Sequence, residues 1–331
     1  MYTLGQWKDI RRVDHFKFVG VSFARGIYIS NPRWRVFDAN NRPDLKQFDQ
    51  HIQIFNQAQS AFDRMSALGD IIGMSHHFIQ NRQGAGQAND RYNGAVTALY
   101  NQAIIDMNLI VGNGHQQAME HYITGVNRPA RTIDVNLLLI KPTAAAAPAG
   151  NALVAATQIA NANASAAFQA AQITAVATGA ITQIHENANH EPFLLGNAAP
   201  LALRGLFQDS AVGGDRLIDY CNGLARNADM DVVFVDGFDQ ADIQGRTFRA
   251  MVDYGGHTPQ RPIIVVRLTP VAGGGATHPT TLLHEFGHAL CTEPTHSSVA
   301  NNLMSDGANR TGVDNLSVGQ QAWFCNSPYI H

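Results

Sequence analysis

The sequence is short of charge, of cysteine and of long apolar runs, and each shortage closes off a class of function. Asp, Glu, Lys and Arg together make 15% of its 331 residues, against roughly a quarter in soluble domains generally. The net charge is −3 with histidines neutral. Lysine and arginine are scattered, with no basic run, which sets nucleic-acid binding aside. No stretch of about 18 consecutive apolar residues occurs, so no membrane-spanning helix is expected. Three cysteines, Cys221, Cys291 and Cys325, are too few and too far apart for a disulfide framework, with a single bridge left open. They fit synthesis in a reducing cytosol. The first residues lack a basic stretch followed by an apolar one, so no Sec signal peptide is expected.

What is present is an ordinary globular composition, 45% hydrophobic and rich in alanine. The length suggests about two domains, each able to bury a core without disulfides. Residues 16–29 read as one or two short strands. From Asp44 to Arg82, the residues Ile52, Phe55, Phe62, Met65, Leu68 and Ile72 recur at helical spacing, with a break expected near Gly69 or Gly73. A second helical pattern runs over 88–123, with Val96, Leu99, Ala103, Met107 and Ile110 as its stripe and an interruption at 112–114. Residues 1–126 thus read as a mainly helical N-terminal region. Residues 127–331 read differently. A buried strand over Thr132–Ile140 gives way to a low-complexity loop, an alanine-rich helix over 151–171 and a strand at 172–177. Further strands are expected at 231–235 and 262–268, with a helix over 215–227 between the second and third strands. Strands alternating with helices imply an α/β layer architecture.

One segment carries chemistry: Thr281-Leu282-Leu283-His284-Glu285-Phe286-Gly287-His288-Ala289-Leu290. It holds the pattern H-E-x-x-H. On a helix His284 and His288 stand one turn apart on one face, so both imidazoles reach a single metal ion. Glu285 lies about 100° further round, placed to act on water beside the metal without ligating it. With 14 histidines and five glutamates, random placement would give this pattern on the order of once in a hundred such chains. Thr280 or Thr281 is positioned to cap the helix, and Leu282, Leu283, Phe286, Ala289 and Leu290 supply its apolar surface. The implied cofactor is Zn2+, which needs a third protein ligand and an open position for catalysis. The next histidine is His296. Pro294 ends the helix before it, and the chain can then turn back to present His296. Asp306 and Glu293 are reserve ligands. Cys291 is either a fourth donor or a small buried residue.

From His284 to Ser305 the chain resembles the metzincin zinc endopeptidases, whose H-E-x-x-H-x-x-G-x-x-H motif precedes a methionine-containing turn. Asn302-Leu303-Met304 is similar to the bacterial form of that turn. The resemblance implies a metzincin-like zincin domain of α/β (α+β) class, with a mixed twisted sheet and an active-site helix. It also implies His284, His288 and His296 as zinc ligands, Glu285 as general base, and Met304 as the floor beneath the metal. The third histidine falls two residues later than in the family pattern, and Cys291 stands where the family has its turn-forming glycine. By the same resemblance the strand around Ile263–Leu268 edges the cleft, where an extended protein or peptide substrate pairs with it. The segment Leu316–Gln321 is similar to the start of the family's C-terminal helix.

Other clusters carry less. His185-Glu186 and His190-Glu191 place their histidines five apart, which breaks the one-face geometry. His76 and His77 are adjacent on a helical pattern and cannot face one site. Gly273–Gly275 follows a strand but lacks the lysine of a phosphate-binding loop. The leading expectation is therefore a zinc endopeptidase, and the second is a metzincin-fold zinc-binding module that acts as a binding or delivery protein without turnover. For localisation, the expectation is cytoplasmic synthesis. An exported bacterial effector or toxin using a leaderless route is weighed against an intracellular protease.

Overall fold

A computed structural model of the chain describes residues 46–84, 91–111, 130–141, 149–185, 202–203, 214–224, 227–235, 237–238, 243–268, 280–307, 310 and 315–331. The strands expected at 16–29, the loop at 142–148, the pairs beyond His185 and the glycine run at 273–275 lie outside the described residues. The chain divides into two compact units, one of residues 1–128 with 317–326 and one of residues 129–316 with 327–331.

The first unit is helical. Helix α1 (Lys46–Gln57) buries Phe48 and Ile52, and α2 (Ala61–Gly84) follows after a short link. The break between them comes at Ser60, whose hydroxyl accepts the Asp63 amide at 3.1 Å and starts the new helix as a cap. It does not come at Gly69 or Gly73, the positions that the glycines suggest. Gly69 lies inside α2 because another backbone approaches it closely. A Cβ there would sit 2.5 Å from the Gly319 nitrogen and 2.7 Å from its Cα, so the glycine serves packing. Helix α3 (Arg91–Val111) runs alongside α2 and buries Val96, Ala103 and Met107.

The second unit is a mixed α/β layer built on a mostly parallel sheet. Its long first strand, β1 (Arg131–Lys141), is followed by α4 (Ala149–Ala164), α5 (Ala166–Ala171), β2 (Ile173–Ala177) and β3 (Thr182–His185). The expected single alanine-rich helix is two helices, because Ser165 caps the second by accepting the Phe168 amide. Next come β4 (Ala202–Leu203), α6 (Gly214–Gly223), β5 (Met230–Val235), β6 (Gly237–Phe238), β7 (Gly245–Phe248), β8 (Ile263–Arg267) and α7 (Thr281–Cys291). Strands β2 and β3 share one edge of β1, and the order then runs β1, β5, β8, β7. All these pairings are parallel except β7 with β8. Strand β5 and strand β8 are buried at every position, as interior strands covered on both faces must be.

The edge differs from the sequence expectation. Strand β8 is flanked on both sides and is not an edge; among the described residues the edge strand is the antiparallel β7. Its four residues, only one of them buried, carry too short and weak a hydrophobic pattern to announce a strand.

On one face of the sheet, Leu217, Ile218 and Cys221 of α6 pack against Leu138, Ile140, Val233, Val235, Ile263 and Val265. Helices α4, α5 and α7 pack together, with Phe168 and Phe286 meeting at a ring distance of 5.4 Å. Both rings are fully buried, and each is worth about 1.5–3 kcal/mol in apolar burial. A buried polar chain crosses the strands: Asn136 donates to Asp231 at 2.8 Å, and Arg261 donates to the other oxygen of Asp231 at 2.7 Å. The pairing meets the cost of placing that carboxylate in the core. The three cysteines are buried and form no disulfide.

Helix α8 (Val318–Cys325) belongs to the helical unit although it lies far along the chain from α3. A capping box starts it, with Ser317 and Gln320 exchanging side-chain bonds with each other's backbone. Trp323 packs on Phe62 at 5.1 Å, and Gln320 donates to the Phe62 carbonyl at 3.4 Å. Among the described residues no helix is long and apolar enough to cross a membrane.

Candidate metal centre

Every residue of α7 is buried, so this helix lies in the interior, wrapped on all sides. That burial fixes which way each polar side chain can turn. Thr280 begins the helix without a side-chain cap, and the Thr281 hydroxyl is directed to the Gln244 side chain at 3.2 Å; the expected threonine cap is not formed. The helix ends at Cys291, and Thr292 takes the left-handed conformation with φ of 52°. A threonine therefore takes the place that glycine has in most such turns. The Thr292 and Glu293 amides return to the carbonyls of Ala289 and His288.

The chain then doubles back. Ser297 forms a bridge with Ser305, and its amide donates to the Met304 carbonyl at 2.8 Å. This backbone contact delivers the neighbouring His296 to the helix. Among the described residues, His284, His288 and His296 form a group whose ring nitrogens all lie within 4.8 Å of one another. The rings of His284 and His296 are stacked 5.2 Å apart, and His288 stands edge-on to both. The other candidate ligands sit elsewhere. Cys291 is a buried thiol, in no disulfide, outside the group. Glu293 lends its carbonyl to His288 and its carboxylate to the Thr295 amide. Asp306 is exposed, and its charge favours protonation of His296.

The protonation pattern follows from the hydrogen bonds. His284 Nδ1 is 2.7 Å from the Leu303 carbonyl, and His288 Nδ1 is 2.6 Å from the Glu293 carbonyl. A carbonyl only accepts, so each Nδ1 carries the proton and donates. Burial, first of all, holds His284 well below the ordinary histidine range and takes His288 down to about 4. Both rings are then neutral, with a bare lone pair on each Nε2. Those two atoms face one another at 3.0 Å. Two acceptors cannot bond each other. A cation between them resolves the contact, and zinc bonds of about 2.0–2.1 Å at a tetrahedral angle would set such nitrogens roughly 3.3 Å apart. The donor set fits a metal ion, with the outer bonds that metal-binding histidines need for orientation.

Glu285 points away from that group's anchors toward β7. It is 6% exposed. The Thr247 hydroxyl donates to its Oε2 at 2.7 Å and lies 3.1 Å from its backbone carbonyl. Gly245 makes room for it, since a Cβ there would meet the Glu285 carboxylate at 2.8 Å. Desolvation raises the Glu285 carboxyl to about 7, opposed by the Thr247 bond and by the charges of Arg310 and Arg246. A carboxyl titrating near neutrality suits proton transfer in both directions.

Met304 is fully buried in the turn. Its amide donates to the Asn302 side chain at 2.9 Å, and the Leu303 amide donates to the Asn315 carbonyl at 2.8 Å. The turn thus contributes backbone atoms to the site: the Leu303 carbonyl orients His284 and the Met304 carbonyl holds the strand next to His296. Thr247, Gly245 and the Leu303 carbonyl are not foreseeable from the sequence. A Gly-x-Thr triplet is too common to signal anything, and a carbonyl has no sequence signature. A second group that could bind a cation joins Asp134, Asp229 and His331. It is partly exposed and internally bonded, with the Asp134 amide donating to Asp229 at 2.6 Å.

No protein-family model matches the chain, and no curated protein matches its sequence. A solved structure, metalloproteinase-II from Bacteroides fragilis, aligns with 17% identity and a TM-score of 0.31 over 52% of this chain. The alignment spans 46% of that protein, less than half its length.

Proposed function

We propose that the protein is a zinc-dependent endopeptidase of metzincin type. The observation that carries this reading is the approach of the His284 and His288 Nε2 atoms to 3.0 Å, with the His296 ring beside them and a buried carboxyl near pH 7 on the same helix. His284, His288 and His296 would hold the metal. Zinc bound by three histidines supplies a Lewis acid that polarises a carbonyl and brings the pKa of water to about 7.

The chain's own residues do the rest. Glu285 takes the proton from the attacking water and returns it to the leaving amine nitrogen. Thr247 holds the carboxylate in place for both transfers. Among the described residues β7 is the last strand of the sheet, and an extended peptide would add beside it as a further strand. Met304 fills the space under the turn that carries the anchoring carbonyls.

The alternative, a zinc-binding module without turnover, would be favoured by Cys291 as a fourth ligand. Cys291 is not among the converging atoms, which favours the open site of a peptidase. The test is mass-spectrometric detection of cleavage in a proteome-derived peptide library, with wild type and Glu285→Gln run in parallel and zinc content measured on both. One zinc per chain in both proteins, with cuts from wild type alone, is expected. Equal cutting by the variant overturns the assignment of Glu285, and no zinc in either overturns the metal centre.

A further inference from the structure

One charged side chain beside the candidate centre has no part in the reaction described above. Arg310 is 7% exposed. Its Nε and Nη1 are enclosed and have no hydrogen-bond partner among the described residues. Its charge is felt at His284, His288, His296 and Glu285, so the guanidinium lies within electrostatic reach of all four. Its own amide is fixed, donating to the Asp306 carbonyl at 3.1 Å.

Buried guanidinium donors without partners, such as Nε and Nη1 here, are unfavourable, because water has been removed from them and nothing replaces it. Glu285 and Asp306 attract it only through space. Two further cations face the same cluster. The charge of Arg246 on β7 acts on Glu285, and that of Arg249 acts on His288. Arg249 is pinned nearby, donating to the Thr292 carbonyl at 3.3 Å. A planar fork of N–H donors, two of them desolvated, in net cationic surroundings is matched by a carboxylate.

We propose that Arg310 is a substrate-binding residue that takes the carboxylate of an acidic side chain beside the scissile bond, which makes acidic peptides the preferred substrates. This rests on the peptidase reading for the kind of ligand, but not for the recognition itself. The chemistry is non-covalent: the carboxylate supplies the acceptor oxygens that Arg310 lacks.

The test uses zinc-loaded full-length protein and two pools of short randomised peptides, identical except that a fixed central Glu in one is Gln in the other. Binding is measured by fluorescence anisotropy on Glu285→Gln, and cleavage on the otherwise wild-type chain. Binding should favour the Glu pool by about tenfold, the scale of a charge-assisted hydrogen bond. Arg310→Met should bring that ratio to about one. Arg310→Lys, which keeps the charge but loses the fork, should fall between and carries the test if the Met variant does not fold. A Glu-to-Gln ratio near one in the unsubstituted site, or a ratio unchanged by Arg310→Met, overturns the proposal. Cleavage of both pools at equal rates also overturns it and leaves the peptidase reading standing. A binding preference that Arg310→Met abolishes, found with no cleavage of either pool, upholds the carboxylate site and removes the peptidase reading.

Discussion

Thr247 donates its hydroxyl to Glu285 Oε2 at 2.7 Å from the edge strand of the sheet. One short strand therefore both borders the candidate cleft and holds its carboxyl. The bond lowers the carboxyl pKa against the larger effect of burial. Thr247→Val keeps the shape and removes the bond. The Glu285 pKa should rise, moving the acid limb of the kcat/KM profile to higher pH, with a loss of about tenfold at neutral pH, as for a hydrogen bond to a charged group. An unshifted profile would show that the hydroxyl only fills space.

Gly245 and Glu285 are in tighter contact than any other residue allows. Gly245→Ala would press a methyl group to 2.8 Å from the Glu285 carboxylate. The carboxyl must swing, and peptide cleavage should fall by at least tenfold while zinc content stays at one per chain. Equal loss of both would mean that the substitution disrupts the helix and not the carboxyl alone.

The ligand assignment separates cleanly by substitution. His296→Ala should release zinc under dialysis conditions that leave the wild type loaded. Asp306→Ala, Glu293→Ala and Cys291→Ser should each retain it. Glu293→Ala is the sharpest of these, because it removes the carboxylate but leaves the carbonyl that orients His288. Zinc loss in any one of the three moves the third ligand to that residue.

Burial holds Glu285 near pH 7 in the folded chain, against 4.5 ordinarily. Between those values the folded state binds more protons than the unfolded one, so this group's contribution to stability falls as pH rises. In metal-free protein, Glu285→Gln should therefore gain stability relative to wild type from pH 4.5 to 7, by at most about 3 kcal/mol. His288, held down to about 4 from 6.5, works in the other direction: the unfolded chain binds more protons there, and stability is lost as pH falls through that window. That effect is common to both proteins and cancels in the difference. Denaturant midpoints of the two proteins across this range read it directly, and a flat difference would show that the carboxyl is not buried in the metal-free state.

The helical unit has its own test. A Cβ on Gly319 would run into the Met65 carbonyl, and Gly69 lies against Gly319. Gly319→Ala should destabilise this unit by about 1–3 kcal/mol, the cost of overpacking. A Gly94→Ala control has open space around it and should leave the thermal midpoint unchanged or raised.

The sheet and the helix of the centre are legible in the sequence because their signals are local. Buried strands such as Met230–Val235 and Ile263–Arg267 hold apolar runs at Val232–Val235 and Ile263–Val266, and the two histidines one turn apart declare a shared face. What cannot be read is non-local. The edge position belongs to Gly245–Phe248, four residues without alternation. Gly69 reads as a helix breaker until Gly319, distant in the chain, turns out to need the space. Arg310 reads as any surface arginine, since nothing nearby in sequence foretells its burial. Helix Val318–Cys325 is legible as a helix from Ser317 and Gln320, but its partners Phe62 and Met65 are not.

The anchors of His284 and His288 are main-chain carbonyls, those of Leu303 and Glu293, and Ser297 is tied to the carbonyl of Met304. Apart from His296 itself and the Asn302 side chain that takes the Met304 amide, the returning loop thus holds the centre through its backbone. A loop of another length or composition that kept these backbone atoms in place would leave the coordinating atoms where they are. Fixed-interval patterns would then overlook distant members of such a group, and a search keyed to a helix-borne histidine pair plus a carbonyl-bearing return turn would gather them.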